Sequence, residues 1–293
     1  MILKNKNWQY YSSLSFSRSF SEQELLEIMI DKLKDCKVVE IESNACSFRF
    51  YLKYLSWDSN FFSRPTYKIE FVDYEDSSYL NLNEAVKLFL EQSFNQKDYY
   101  SFEIPPEDTL LIQAFNENGF RLNETRLVHY LDIRNLEFKP GKKTRIAKKN
   151  DAARLGLTAQ TMINSFDRVH ADPHISDQLA NSYLKTYAEA CVKGYVDEVI
   201  VPDEINVPSD SFVALKHLTI EKSKISQIVL SAVSRQTNKG WYIELIKSAI
   251  NRSINSQCSY IFNTTQATNK AVHHSLEKLG FKLGRTTHLL VKS

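Results

Sequence analysis

The stretch IVLSAVSRQTNKGWYIELIKSAI, residues 228–250, limits the fold more than any other part of the chain. Ile228, Leu230 and Ala232 alternate with Val229, Ser231 and Val233, a run β-branched enough to form a buried strand. From Tyr242 the period changes. Ile243, Ile246 and Ile250, with Leu245 and Ala249, recur at three- and four-residue spacing, which gives a helix one apolar face. Between them SRQTNKGW is a short polar turn with a lone glycine. It brings backbone N–H groups and a helix N-terminus to one place, an arrangement suited to holding phosphate.

The same periodicities run through the rest of the chain. Helices are expected over 22–35, 82–96, 107–117, 151–165, 176–193, 241–256 and 269–278. Strands are expected over 47–55, 66–72, 99–104, 125–133, 196–201, 211–218, 225–233, 258–264 and 285–291. Alternation of the two through the last third points to an α/β (α+β) fold, a mixed, partly parallel sheet with helices packed on it.

Two segments echo each other. FNENGFRLNETRLVHYLDI (115–133) and LEKLGFKLGRTTHLLVKS (276–293) share a helix end, Gly-Phe, a basic residue, Leu, and a Thr leading into an apolar strand. Gly119 and Gly280 stand where a helix C-cap wants a left-handed residue. The echo divides the chain into two related halves, 1–140 and 141–293, each ending in the same corner. The seam is the stretch 134–156, which carries the Pro140-Gly141 step and a run of lysines and arginines before Asp151. It reads as a solvated linker, because no aromatics interleave the charges as they would in a nucleic-acid patch.

Composition narrows the partners. A formal charge of +2 over 293 residues gives no general attraction to nucleic acid or membrane. No run of eighteen apolar residues exists, and MILKNKNWQYYSS lacks the apolar core of a signal peptide. Cys36, Cys46, Cys191 and Cys258 show no paired metal spacing, so a cytoplasmic chain with reduced thiols is expected.

Residues 227–250 resemble the acetyl-CoA-binding strand–turn–helix of the GNAT superfamily of N-acetyltransferases. The segment YIFNTTQATNKAVHHSLEKLGFKLGRTTHLLVK resembles that family's closing strand–helix–strand, in which an Asn opens the last helix. YLSWDSNFFSRPTYKIEF (54–71) and DRVHADPHISDQLANSYLKTYAEACVKG (167–194) are similar to the TDP-fucosamine acetyltransferase (WecD-like) group. The resemblance implies two GNAT-like halves, each a mixed twisted sheet flanked by helices, with acyl transfer in the second. It implies acetyl-CoA as cosubstrate and the amine of a nucleotide-linked amino sugar as acceptor, in surface-polysaccharide building. A homodimer is the family-level expectation. A degenerate domain that binds acyl-CoA or a partner without turnover, and an enzyme for another amine, are the alternatives.

The family pattern splays two parallel strands, leaving backbone groups at one strand end free for ligand. By resemblance Leu230, Ser231, Ala232 and Val233 pair with the pantetheine arm, and the Val233 N–H polarises the thioester carbonyl. Asn238, Lys239, Gly240, Trp241 and Tyr242 wrap the pyrophosphate, and Asn269 opens the last helix beside it. Tyr242 departs from the pattern, bringing a ring where backbone must approach phosphate, so it either turns outward or weakens the grip. A second departure is Leu276, which stands where the family has the Tyr that protonates the leaving thiolate. His273 lies on the same helical face and is the substitute acid, His274 and Ser275 pointing progressively away. Arg168, His170, Asp172 and His174 cluster in one loop. Arg168 suits a diphosphate, and Asp172 or His170 the proton of the attacking ammonium. Their ligand types alone also permit a metal, but a further strong ligand is lacking and none is expected in this fold. Trp57, Asp58, Phe61 and Phe62 read as packing residues.

Overall fold

The computed structural model describes residues 2–75, 77–139, 141–162, 164–220, 223–237 and 240–293. The chain forms two compact units. One runs up to Arg126 and takes back Arg285–Ser293; the other is Leu127–Gly284.

The first unit contains α1 (Trp8–Tyr11), α2 (Glu22–Leu33), β1 (Lys37–Ser43), β2 (Cys46–Tyr54), α3 (Ser56–Phe62), β3 (Thr66–Tyr74), α4 (Tyr79–Ser93), β4 (Tyr99–Ile104) and α5 (Thr109–Glu117). β5 (Arg121–Asp132) begins in this unit and continues into the second. The second unit adds β6 (Thr144–Ile146), α6 (Ala152–Thr161), α7 (Asp177–Ala190), β7 (Glu198–Pro202), β8 (Phe212–Ile220), β9 (Ser223–Ala232), α8 (Trp241–Asn255), β10 (Tyr260–Gln266) and α9 (Lys270–Lys278). The chain ends in β11 (Lys282–Lys292).

In the first unit the strand order is β1-β2-β3-β4-β11. β1, β2 and β3 are antiparallel neighbours, β3 and β4 are parallel, and β11 returns antiparallel to β4. Its core is aromatic: Phe50 stacks on Phe89 at 4.2 Å, and Phe102 meets Phe115 edge-on. In the second unit the order is β5-β10-β9-β8-β7-β6, with β9 and β10 parallel and β6 to β9 antiparallel. One apolar layer joins α8 to the sheet through Leu245, Ile246, Ala249 and Ile250, four of the five residues the three- and four-residue spacing selects; Ile243 is half-buried and outside it. A second layer lies under α6 and α7, around Leu155, Ala188, Phe212 and Ala232.

The two corners that echo in sequence are the same in structure. Gly119 and Gly280 have φ of +84° and +86°, and the N–H of the following Phe reaches back to Phe115 and to Leu276. Both are the six-to-one closure of a Schellman turn, which folds Phe120 and Phe281 into their cores. The stretch expected as linker contains more structure than its charge suggests. Thr144–Ile146 pairs with β7 as an edge strand, and Arg145 and Arg154 both bond Asp151. Asp151 is buried, and its bond to Arg145 outweighs burial and holds the carboxyl down at about 2.

Candidate functional site

The β9–β10 pair opens into a fork. Four residues are in register, from Tyr260 opposite Ile225 to Asn263 opposite Ile228, while β9 runs on to Ala232 and β10 to Gln266. A bulge sits at the branch point. In the β8–β9 ladder Leu215 faces Ile228 and Ala214 faces Leu230, so Val229 is an extra residue. A bulge bends its strand and re-aims the residues beyond it, which is how β9 leaves β10. Leu230, Ser231 and Ala232 form the freed end of β9, and the Val233 N–H meets no protein acceptor among the described residues.

The turn after β9 is braced from below. Ser234 N donates to Ser211 Oγ at 2.9 Å, and Ser234 Oγ donates to Asp210 Oδ2 at 2.6 Å. The amides of Gln236 and Thr237 both donate to Ser234 Oγ at 3.1 Å, and the Thr237 hydroxyl donates to Asp210 Oδ1. The Thr237 amide is therefore committed to the turn, leaving the donors from Gly240 onward. Asn238 and Lys239, expected to wrap an anion here, lie outside the described residues. Gly240 is the N-cap of α8 with φ +99°, a conformation in which other residues are strained. Gly240 has no side chain with which to cap the helix, and the Glu244 N–H bonds back to its carbonyl. The amides of the first turn of this fifteen-residue helix have no partner within the helix.

Trp241 and Tyr242 open the helix and pack differently. Trp241 is buried in the α8 core layer, with Lys142 Nζ 5.2 Å from its ring centroid. The Tyr242 ring packs on the same layer. Its hydroxyl lies between the two arms of the fork, 3.5 Å from Asn263 Nδ2 and bonded to Ser231. Burial pushes this phenol up to about 12.

Asn269 caps α9, accepting from Val272 N and donating to Thr265 Oγ1 at 3.2 Å, which ties the helix to the end of β10. His273 is one turn on, its Nε2 2.9 Å from Gln266 O, so that nitrogen carries the proton. Its Nδ1 is buried without a partner, and its ring lies 4.9 Å from that of His129 on β5. His129 is a neighbour of His273 that the sequence did not announce. Burial, then the neighbouring imidazole, holds its pKa below the ordinary value. Leu276 is wholly buried among Ile133, Ile261 and Phe281 and offers the fork nothing.

The loop before α7 is tightly self-bonded. Arg168 donates to Tyr183 Oη. His170 is held at both nitrogens, by Asp167 Oδ2 at 2.7 Å and Asn181 Oδ1 at 3.1 Å. Asp172 is buried and accepts from His174 N at 2.9 Å, closing the turn that carries it, while His174 is exposed. Trp57, Asp58, Phe61 and Phe62 all lie on α3 in the first unit.

Comparison with known proteins gives the class of this fold. No family model and no curated sequence matches the chain. A GCN5-related N-acetyltransferase from Kribbella flavida superposes with a TM-score of 0.54 at 10% identity, over 93% of this chain and 96% of that one. A second, from Sphaerobacter thermophilus, gives 0.52 at 8% identity over 84% and 80%. The glucosamine N-acetyltransferase region of a fungal multi-domain GH3 β-N-acetylglucosaminidase gives 0.56 at 13% identity, over 92% of this chain and 34% of that one. The chain has the GNAT-type N-acetyltransferase fold over up to 93% of its length. Among the described residues no helix is long and apolar enough to cross a membrane.

Proposed function

We propose that the protein is an acetyl-CoA-dependent N-acetyltransferase whose cofactor site is the fork of the second unit. The observation that carries the reading is the coincidence of three features at one strand end. The β9–β10 ladder stops at Ile228 and Asn263, a bulge at Val229 turns β9 aside, and Tyr242 in the first turn of α8 brings its hydroxyl within 3.5 Å of Asn263 Nδ2. Leu230, Ser231, Ala232 and Val233 would take the pantetheine arm through backbone groups. Gly240, Trp241 and Tyr242 would give their amides to the pyrophosphate, joined by Asn238 and Lys239.

The Val233 N–H is the oxyanion donor in this reading, and loss of such a donor costs about 3 kcal/mol of transition-state stabilisation. An amine held against a thioester gains most of its rate from that donor and from proximity, so no covalent intermediate is required. His273 is assigned the proton for the leaving thiolate, with His129 beside it, its ring tilted by 38°, as a positioning residue. Arg168, His170 and Asp172 are assigned to the acceptor, which must compete with the bonds they already make. A nucleotide-linked amino sugar fits that pairing of a cation with a carboxylate. An amino-sugar acceptor also appears in the description of the fungal neighbour.

One observation favours a second reading, a CoA-binding module without turnover: the position of the expected acid is Leu276, sealed in the core. Calorimetry with acetyl-CoA followed by an amine panel separates the two. Binding with acetyl transfer to a dTDP- or UDP-linked amino sugar, and none to peptides, is the expected outcome. Binding without transfer to any amine supports the module. No binding at all overturns both.

A further inference from the structure

The first unit's sheet ends in an open edge. β1 pairs with β2 on one side and, among the described residues, has no strand on the other. Which of its backbone groups are free follows from the hairpin. Asn44 and Ala45, at φ +49° and +62°, form a two-residue turn, so the flanking pair Ser43–Cys46 is hydrogen-bonded, as is every second pair behind it. Ile41, Val39 and Lys37 therefore turn their N–H and C=O toward β2. The next strand agrees. Val72, opposite Phe50, gives its carbonyl to Asn5 rather than to β2, which leaves the Phe50 groups for Val39. Val38, Glu40 and Glu42 face outward, and beyond the strand their backbone groups have no partner among the described residues.

A groove of 470 Å³ lies along this edge, lined by Lys37, Val38, Val39 and Glu40 and by Gln92 and Ser93 at the end of α4. Val38 is 42% exposed there, and Glu40 and Glu42 are exposed beside it. Charge decides what fits. Glu40 and Glu42 share a face with Val38, and neither joins an ion pair among the described residues. The cation opposite Glu40, Arg49, is spent on Asp73. Lys37 stands on the other face, with Val39. α4 adds the negative end of a fifteen-residue helix with no basic residue in its last turn. A second copy paired about the strand centre would set Glu40 against Glu40, which disfavours edge-to-edge self-pairing.

We propose that this edge is a docking site for an extended basic segment of another protein, which adds to β1 as an antiparallel strand through Val38, Glu40 and Glu42. One Lys or Arg of that segment stands opposite Glu40 and a second opposite Glu42, where cross-strand pairs of opposite charge are favourable. The residues that alternate with them fall on the α4 side. The one opposite Val39 lies over the groove beside Gln92 and Ser93 and is small and uncharged. The pattern read is basic-x-basic in extended conformation.

The test uses the full-length chain and two synthetic hexapeptides, one alternating Lys and Thr, the other alternating Glu and Thr. Amide exchange is followed residue by residue by NMR. In the free protein Val38, Glu40 and Glu42 are expected to exchange much faster than Val39 and Ile41. The Lys-Thr peptide is expected to slow those three selectively and to bind about tenfold tighter than the Glu-Thr peptide. Val38→Pro removes one donor where an edge strand tolerates proline, and is expected to weaken binding about fivefold. Glu40→Lys is expected to erase the preference for the basic peptide. Equal affinity for the two peptides overturns the proposal, as does the Lys-Thr peptide leaving the three amides unslowed. Protection of those amides in the free protein that grows with protein concentration also overturns it, because a second copy then occupies the edge. The wild-type measurements decide even if the proline variant does not fold.

Discussion

The two units build the same fork and treat it in opposite ways. In the first unit β3 and β4 are parallel over four pairs, Thr66 with Tyr99 through Ile69 with Phe102, and then separate. A bulge marks the branch point here too, because Leu52 faces Ile69 and Tyr51 faces Phe71, leaving Glu70 extra. This fork is sealed by the chain's own N-terminal segment. Asn5 Nδ2 donates to Val72 O on the freed strand end, and the amides of Lys4 and Asn5 donate to Asp73. Tyr11 sits against Phe71 and Phe102, and its hydroxyl donates to Asp108 at 2.7 Å. The following helix, α4, is capped by the Ser78 side chain. In the second unit, among the described residues, the equivalent strand end carries no such strap, the helix cap is a glycine, and the Tyr242 hydroxyl reaches Asn263. The same backbone device is thus a structural joint in one unit and, in our proposal, a ligand cleft in the other. What separates them is whether the chain supplies its own hydrogen-bond partners.

That contrast can be broken by substitution, the largest effect coming from the sealed side. Asp108 accepts from Tyr11, Tyr74 and Asn5, so Asp108→Ala orphans three buried donors. A loss of about 3–5 kcal/mol is expected in denaturant unfolding, with acetyl-CoA affinity per folded molecule unchanged. Next is Leu276→Tyr. Placing a phenol in a filled core is expected to cost about 1–3 kcal/mol and to bring no gain in turnover, because the side chain faces Ile261 and Phe281 rather than the fork. A matched pair at the two helix caps follows. Gly240→Val forces a β-branched residue to φ +99° and is expected to weaken acetyl-CoA binding by about tenfold, near 1.4 kcal/mol. Ser78→Ala costs about 1 kcal/mol of stability and leaves affinity alone.

The smallest effect is one of pH. Tyr242 titrates near 12 in the folded chain against an ordinary value of 10. Its contribution to stability is therefore complete below pH 10 and is lost as pH rises from 10 to 12. Stability measured across that window should fall less steeply in Tyr242→Phe, while acetyl-CoA affinity of the parent stays level from pH 7 to 9.5.

Much of the second fork was legible because its signals are local. A β-branched run, a glycine turn and a 3.6-residue period all fall within residues 228–250, and the Gly-Phe corners recur at 119–120 and 280–281. What stayed hidden depends on long-range pairing. Nothing local tells that β11 returns to β4, that Asp210 and Ser211 brace a turn twenty-odd residues later, or that Val229 is a bulge. Arg145 looks solvated in a basic run and is instead spent on a buried aspartate. The strap is the clearest case. MILKNKNWQYYSS shows in sequence only that it lacks the apolar core of a signal peptide, yet Asn5 and Tyr11 are buried because Asp73 and Asp108 accept their hydrogen bonds. Of the candidate site, the strand end and helix cap could be read from sequence, but not His129, whose partner lies on a helix far along the chain.

The most direct test is a crystal soaked with acetyl-CoA. The account predicts one molecule per chain, with its pyrophosphate on the amides after Gly240 and its pantetheine arm along Leu230–Val233, and with the fork closed by Asn5 and Tyr11 unchanged. Density at the first unit's fork, or none at either, would contradict it.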